Sequence, residues 1–115
     1  MIQVIYDATH PDLQDCPIGC IRSQEVIIIN PDLFYPMRAF DQQFWLLHEE
    51  GHIKLNTSDE VLADSFAFDA LVGSQFRSLK QICAALDSLL VGSNPEFERR
   101  KSSLMDRAIR WDATH

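Results

Sequence analysis

The residues of this chain best suited to chemistry are His48-Glu49-Glu50-Gly51-His52, a complete H-E-x-x-H. On a helix, positions four apart lie about 40° apart around the axis and one turn along it, so both imidazoles can reach one metal ion. The glutamate beside the first histidine is then placed to hold and deprotonate a water on that ion. At average residue frequencies the pattern arises by chance in roughly a few chains of this size per thousand. It signals a metal site; a particular reaction has to be argued from the residues around it.

Two histidines do not complete such a site, because catalytic zinc usually takes three protein ligands and a water. The turn Asn56-Thr57-Ser58-Asp59 is short, so a following helix must fold back with its first turn beside the histidines. On that helix Glu60, Ala63, Asp64, Ala67 and Leu71 form one stripe, and the two alanines permit close helix approach. Glu60 is the candidate third ligand. Asp64, one turn on, can accept the free N–H of a ligand histidine and fix its tautomer. The spacing leaves other readings open: Thr57-x-x-Glu60 is also a capping box, in which the glutamate returns to the N-cap amide, and Asp59 and Asp64 are alternative ligands.

The elements that must carry these residues follow from pattern. Ile2 to Tyr6 alternates apolar and polar as a half-buried strand does, and Thr9 to Gly19 has loop composition. Cys20 to Asn30 contains Val26-Ile27-Ile28-Ile29, apolar on both faces, which predicts an inner strand covered by helices and stopped at Asn30-Pro31-Asp32. With Pro36 in its first turn, a helix is expected from about Met37 to Leu55, its buried stripe Met37, Phe40, Phe44, Leu47 and Gly51. A second is expected from Asp59 to Val72, closed by Gly73, a third from Gln75 to Leu90, and a last from Glu96 to Trp111. Phe44, Trp45, Phe66 and Phe68 read as core rather than as a substrate pocket, and Glu50 as solvated surface. The sum is an α+β protein: a small twisted sheet packed on the H-E-x-x-H helix, with two or three further helices.

Composition bounds the remaining possibilities. A chain of 115 residues is a single domain, 1–115, and 46% hydrophobic content describes an ordered globular protein. A net charge of −7 makes nucleic acid an unsuitable partner. No apolar run approaches the ~18 residues of a membrane span, and the N-terminus lacks the pattern of a secretory signal, so a cytoplasmic location is expected. Cys16, Cys20 and Cys83 are read as reduced thiols, the first two flanking a Pro-x-Gly turn at Pro17-Ile18-Gly19.

His48 to His52 followed by Glu60-Val61-Leu62-Ala63-Asp64-Ser65-Phe66-Ala67 resembles the gluzincin signature, H-E-x-x-H and then E-x-x-A-D with F-A behind it. In type it is similar to the very small members, the minigluzincins, and to the short peptidases of phages and mobile elements. The resemblance covers about Val26 to Ala70. It implies a minimal zincin-like fold in which Zn²⁺ is bound by His48, His52 and Glu60, Glu49 is the general base, and Asp64 supports a ligand histidine. The implied activity is zinc-dependent hydrolysis of peptide bonds in a protein or peptide substrate. Gluzincins also place a Tyr or His opposite the metal to stabilise the oxyanion, for which Tyr6, His10, Tyr35, Arg107 and His115 are the candidates. The chain departs from larger gluzincins in having only seven residues, 53 to 59, between His52 and Glu60, too few for the insertions that deepen their clefts. The alternative is a catalytically weak or inactive zincin-like module that binds proteins; such a module is free to lose Glu49, which this chain retains.

The segment 95–115 is basic and amphipathic through Arg99, Arg100, Lys101, Arg107 and Arg110. One expectation is a core helix buried through Phe97, Leu104, Ala108 and Trp111. The other is implied by the resemblance, since minigluzincin-like proteins are held latent by their C-terminal segment: a regulatory segment lying along the acidic cleft of its own or a neighbouring molecule, with self-association in the second case.

Overall fold

A computed structural model of the chain describes residues 2–13, 16–72 and 95–114. Its sheet has three strands, β1 (Gln3–Tyr6), β2 (Ile18–Ile21) and β3 (Val26–Ile29), in the order β1-β3-β2. β3 is central, parallel to β1 and antiparallel to β2, with Ile27 opposite both Val4 and Cys20. All four residues of β3 are buried, as a strand apolar on both faces must be. Ile27 and Ile29 pack with Ile18, Phe34 and Ile53, while Val26 and Ile28 face Leu13 of the short 3₁₀ turn Pro11–Leu13.

Three expectations are corrected here. β1 is exposed along its length, not half-buried. Pro17-Ile18-Gly19 is not a turn: it enters β2, the Asn30 amide donates to the Pro17 carbonyl, and Gly19 lies against Leu13. Asn30-Pro31-Asp32 ends β3 but also starts a four-residue helix, α1 (Pro31–Phe34), because the Asn30 side chain accepts from the Asp32 amide.

The long helix α2 (Ala39–Lys54) begins after Arg38, whose backbone is extended, so Pro36 lies outside its first turn. α3 (Glu60–Leu71) folds back on α2 at close range, with Ala63 and Ala67 fully buried in the seam. α4 (Pro95–Thr114) packs on α3, where Leu104 and Ala108 join Phe44, Ala67, Phe68 and Leu71 in a second apolar cluster. Thus α2 has the sheet on one side and α3 with α4 on the other, an α+β arrangement. The expected helix from Gln75 to Leu90, Gly73, Cys83 and His115 lie outside the described residues. No described helix is long and apolar enough to cross a membrane.

Candidate metal centre

The seam between α2 and α3 brings His48, His52 and Glu60 together. Asp59, not Thr57, caps α3: its carboxylate accepts from the amides of Val61 at 2.8 Å and Leu62 at 3.4 Å. The capping-box reading of Glu60 is thereby displaced, and its carboxylate turns to the histidines. Oε1 lies 2.7 Å from His52 Nε2, Oε2 lies 3.4 Å from His48 Nε2, and the two Nε2 atoms are 3.1 Å apart. Ligand atoms ~2.0–2.2 Å from a tetrahedral zinc stand about 3.3–3.6 Å apart, so these separations are on the same scale and slightly contracted. His48, His52 and Glu60 therefore form a group that could hold a metal ion.

Both imidazoles are turned by what binds their other nitrogen. His52 Nδ1 is 2.8 Å from the Thr57 carbonyl, which can only accept, so that nitrogen carries a proton in either charge state and Nε2 is the atom turned to the site. His48 Nδ1 is 2.8 Å from Asp64 Oδ1 but off the line of a good hydrogen bond, and it has no other partner among the described residues. Trp45 stands edge-on to the His48 ring at 5.2 Å between centroids.

The charges respond to this crowding. Burial opposes the charged form of His48, but the polar contacts of Asp64 and Glu60, with the charges of Asp64 and Glu49, raise its pKa to about 9. The hydrogen bond to Glu60 outweighs burial at His52 and raises its pKa also. Hydrogen bonds from both histidines hold the Glu60 carboxyl well below the usual carboxylate range. Without a metal, then, the site keeps protons on its imidazoles, the same positions a divalent cation would take.

Beside the group is a cavity of about 280 Å³ lined by Cys16, Pro17, Ile18, Trp45, His48, Glu49 and Glu60. Glu49 thus faces the same space as two of the candidate ligands. Its carboxylate also meets the Cys20 thiol, whose pKa is pushed up to about 12 by burial and then by the Glu49 charge. Trp45, expected in the core, packs against both apolar clusters and also forms part of the cavity wall; Phe44 and Phe68 are core. Glu50 pairs with Lys54 one turn along, at 2.7 Å.

None of the described candidates for an oxyanion donor lines the cavity. Tyr6 and Tyr35 stack on each other at 6.4 Å on the exposed side of the sheet, His10 lies near Asp12, and Arg107 pairs with Asp69. One residue of the site escaped sequence reasoning. Arg100, named there only as one of the basic residues of a segment that could lie along the acidic cleft, is buried at 4% exposure and grips both oxygens of Asp64, at 2.7 and 2.8 Å. The available signal was its place four residues before Leu104 and eight before Ala108, on the apolar face of α4. Among known proteins, no family model, no curated protein and no solved structure matches this chain.

Proposed function

We propose that the protein is a zinc-dependent peptidase of minimal zincin-like design. The observation that supports this reading best is the meeting of His48, His52 and Glu60 at a cavity that Glu49 also lines. Two imidazoles and one carboxylate are the donor set of hydrolytic rather than structural zinc, because three protein ligands leave a coordination position open. Zinc bound there would polarise a carbonyl and lower the pKa of a water toward neutrality. Glu49 takes the role of general base and then of general acid: it accepts a proton from the attacking water and delivers it to the departing amine. Glu60 and the histidines serve as ligands, and Asp64 keeps the proton on Nδ1 of His48 so that Nε2 stays available.

Binding of the substrate falls to the sheet. Among the described residues β2 is an edge strand, and the residues leading into it, Cys16 to Ile18, form one wall of the cavity. An extended peptide added along that edge would bring its backbone past Glu49. Opposite stands Trp45, so the wall offered to a side chain is largely apolar.

Zinc titration of the full chain should give one equivalent per chain, and Glu49→Gln should keep that stoichiometry while abolishing cleavage of a peptide library. A carboxamide cannot accept the water's proton, so equal turnover in both proteins would sink the general-base assignment. Zinc binding with no cleavage by the unmutated chain would replace this reading with a metal-bound protein-binding module.

A further inference from the structure

We propose that Arg100 is a positioning residue of the metal centre, holding Asp64 and Glu60 so that docking of α4 and binding of the ion reinforce each other. The proposal rests on the zinc reading above and assigns a partner to that site which neither the H-E-x-x-H helix nor α3 supplies.

One guanidinium reaches both carboxylates that bear on the ion. Nε lies 2.7 Å from Asp64 Oδ2, Nη2 lies 2.8 Å from Asp64 Oδ1, and Nη1 lies 3.3 Å from Glu60 Oε2. Two parallel N–H···O bonds stop the Asp64 carboxylate from turning about its last torsion. That matters because Oδ1 is the atom facing His48 Nδ1, a buried nitrogen with no other partner among the described residues. If Asp64 turns, no other described residue holds the proton on that side of the ring. The cation also lies 5.4 Å from the centroid of Trp45, the ring that backs His48. Asp64 is 1% exposed and Arg100 4%, whereas the other bidentate pair joining α3 and α4, Arg107 with Asp69, lies in solvent. The two pairs join the same helices, but only the first touches the site.

The coupling is reciprocal by necessity: whatever α4 docking adds to metal affinity, the metal adds to α4 docking. Arg100→Lys is the informative variant, since it retains the positive charge beside Glu60 and removes the fork. Zinc affinity is measured on the full chain by competition with a chromophoric chelator. Arg100→Lys should bind zinc at least ~10-fold more weakly, and in an Asp64→Asn background it should add no further loss, as expected for a residue acting through Asp64. Arg107→Lys, which loosens the same helix pair away from the site, should stay within about twofold of the unmutated affinity. Unchanged affinity in Arg100→Lys overturns the proposal, as does an equal loss in Arg107→Lys. Absence of zinc binding by the unmutated chain overturns the metal reading itself, and this proposal with it. Should Arg100→Lys fail to fold, hydrogen exchange on the unmutated protein decides. Zinc should then slow the amides of α4 around Arg100, and unchanged exchange there overturns the proposal.

Discussion

A proton and the proposed divalent cation would compete for the same atoms, the Nε2 nitrogens of His48 and His52. In the metal-free protein the pKa of His48 is raised from 6.5 to about 9, despite burial, by Asp64, Glu60 and Glu49. A raised pKa in the folded state means that the protonated imidazole stabilises the fold; that contribution is complete below about pH 6.5 and is lost as pH climbs through about 9. His52 contributes in the same sense, and because the two rings share Glu60 they titrate as a coupled pair. Urea denaturation with a chelator present should therefore show stability falling between pH 6.5 and 9, while zinc affinity rises over the same interval as protons leave. Flat profiles for both would remove the carboxylate-supported histidine pair from the description. The meeting of His48, His52 and Glu60 was legible because a helical period turns a spacing of four into proximity, and because the short turn at 56–59 could only return α3 to the histidines. Arg100 was legible only as one of five basic residues in a segment that could lie along the acidic cleft, since nothing in the spacing names the carboxylate that receives it, 36 residues earlier.

Between elements, the meeting of His48, His52 and Glu60 depends on how closely α2 and α3 approach, and Gly51 governs that distance. A Cβ at this position would lie 3.0 Å from Phe66 Cβ and 3.1 Å from two of its ring carbons. The Cβ of Phe66 is tied to the α3 backbone and cannot swing aside, so the helices would have to separate. Gly51→Ala gains roughly 0.5–1 kcal/mol of helix propensity but crowds a packed seam at a cost of about 1–3 kcal/mol. The variant should thus be less stable in urea and should bind zinc more weakly, because Glu60 moves away with α3. A Gly51→Ala protein with unchanged or improved stability and unchanged affinity would show that another contact sets the spacing. The principal helices and β3 were readable from periodicity and from an unbroken β-branched run. β2 was hidden by Pro17 and Gly19, which resemble turn residues until Asn30 is seen to pair with Pro17. α1 was hidden because Asn30-Pro31-Asp32 both ends a strand and caps a helix. Pro36 suggested an earlier start to α2 than the extended backbone of Arg38 allows.

For the molecule as a whole, the candidate metal centre lies on the seam between two apolar clusters that share α2, one with the sheet and one with α3 and α4. His48 and His52 come from α2, Glu60 from α3 and Arg100 from α4, so the group exists only when these helices are assembled. An ion that binds the assembled helices and not the unfolded chain stabilises the fold by mass action, about 2.7 kcal/mol at a free concentration 100 times Kd. For a domain of 115 residues that corresponds to roughly 10 °C in Tm. Charge favours the same direction, since a chain of net charge −7 that gathers Glu49 and Glu60 at one cavity is relieved by a cation. Relief of that kind is generic, however, and magnesium at equal concentration supplies it as well as zinc does, whereas the imidazole pair favours zinc. Thermal unfolding followed by circular dichroism in chelator, in excess zinc and in excess magnesium separates the two effects. Zinc should raise Tm by roughly 10 °C over chelator, with magnesium leaving it near the chelator value. Equal shifts with both ions would reduce the centre to a patch of negative charge, and no shift with either would mean that the histidines and Glu60 meet for each other and not for a metal.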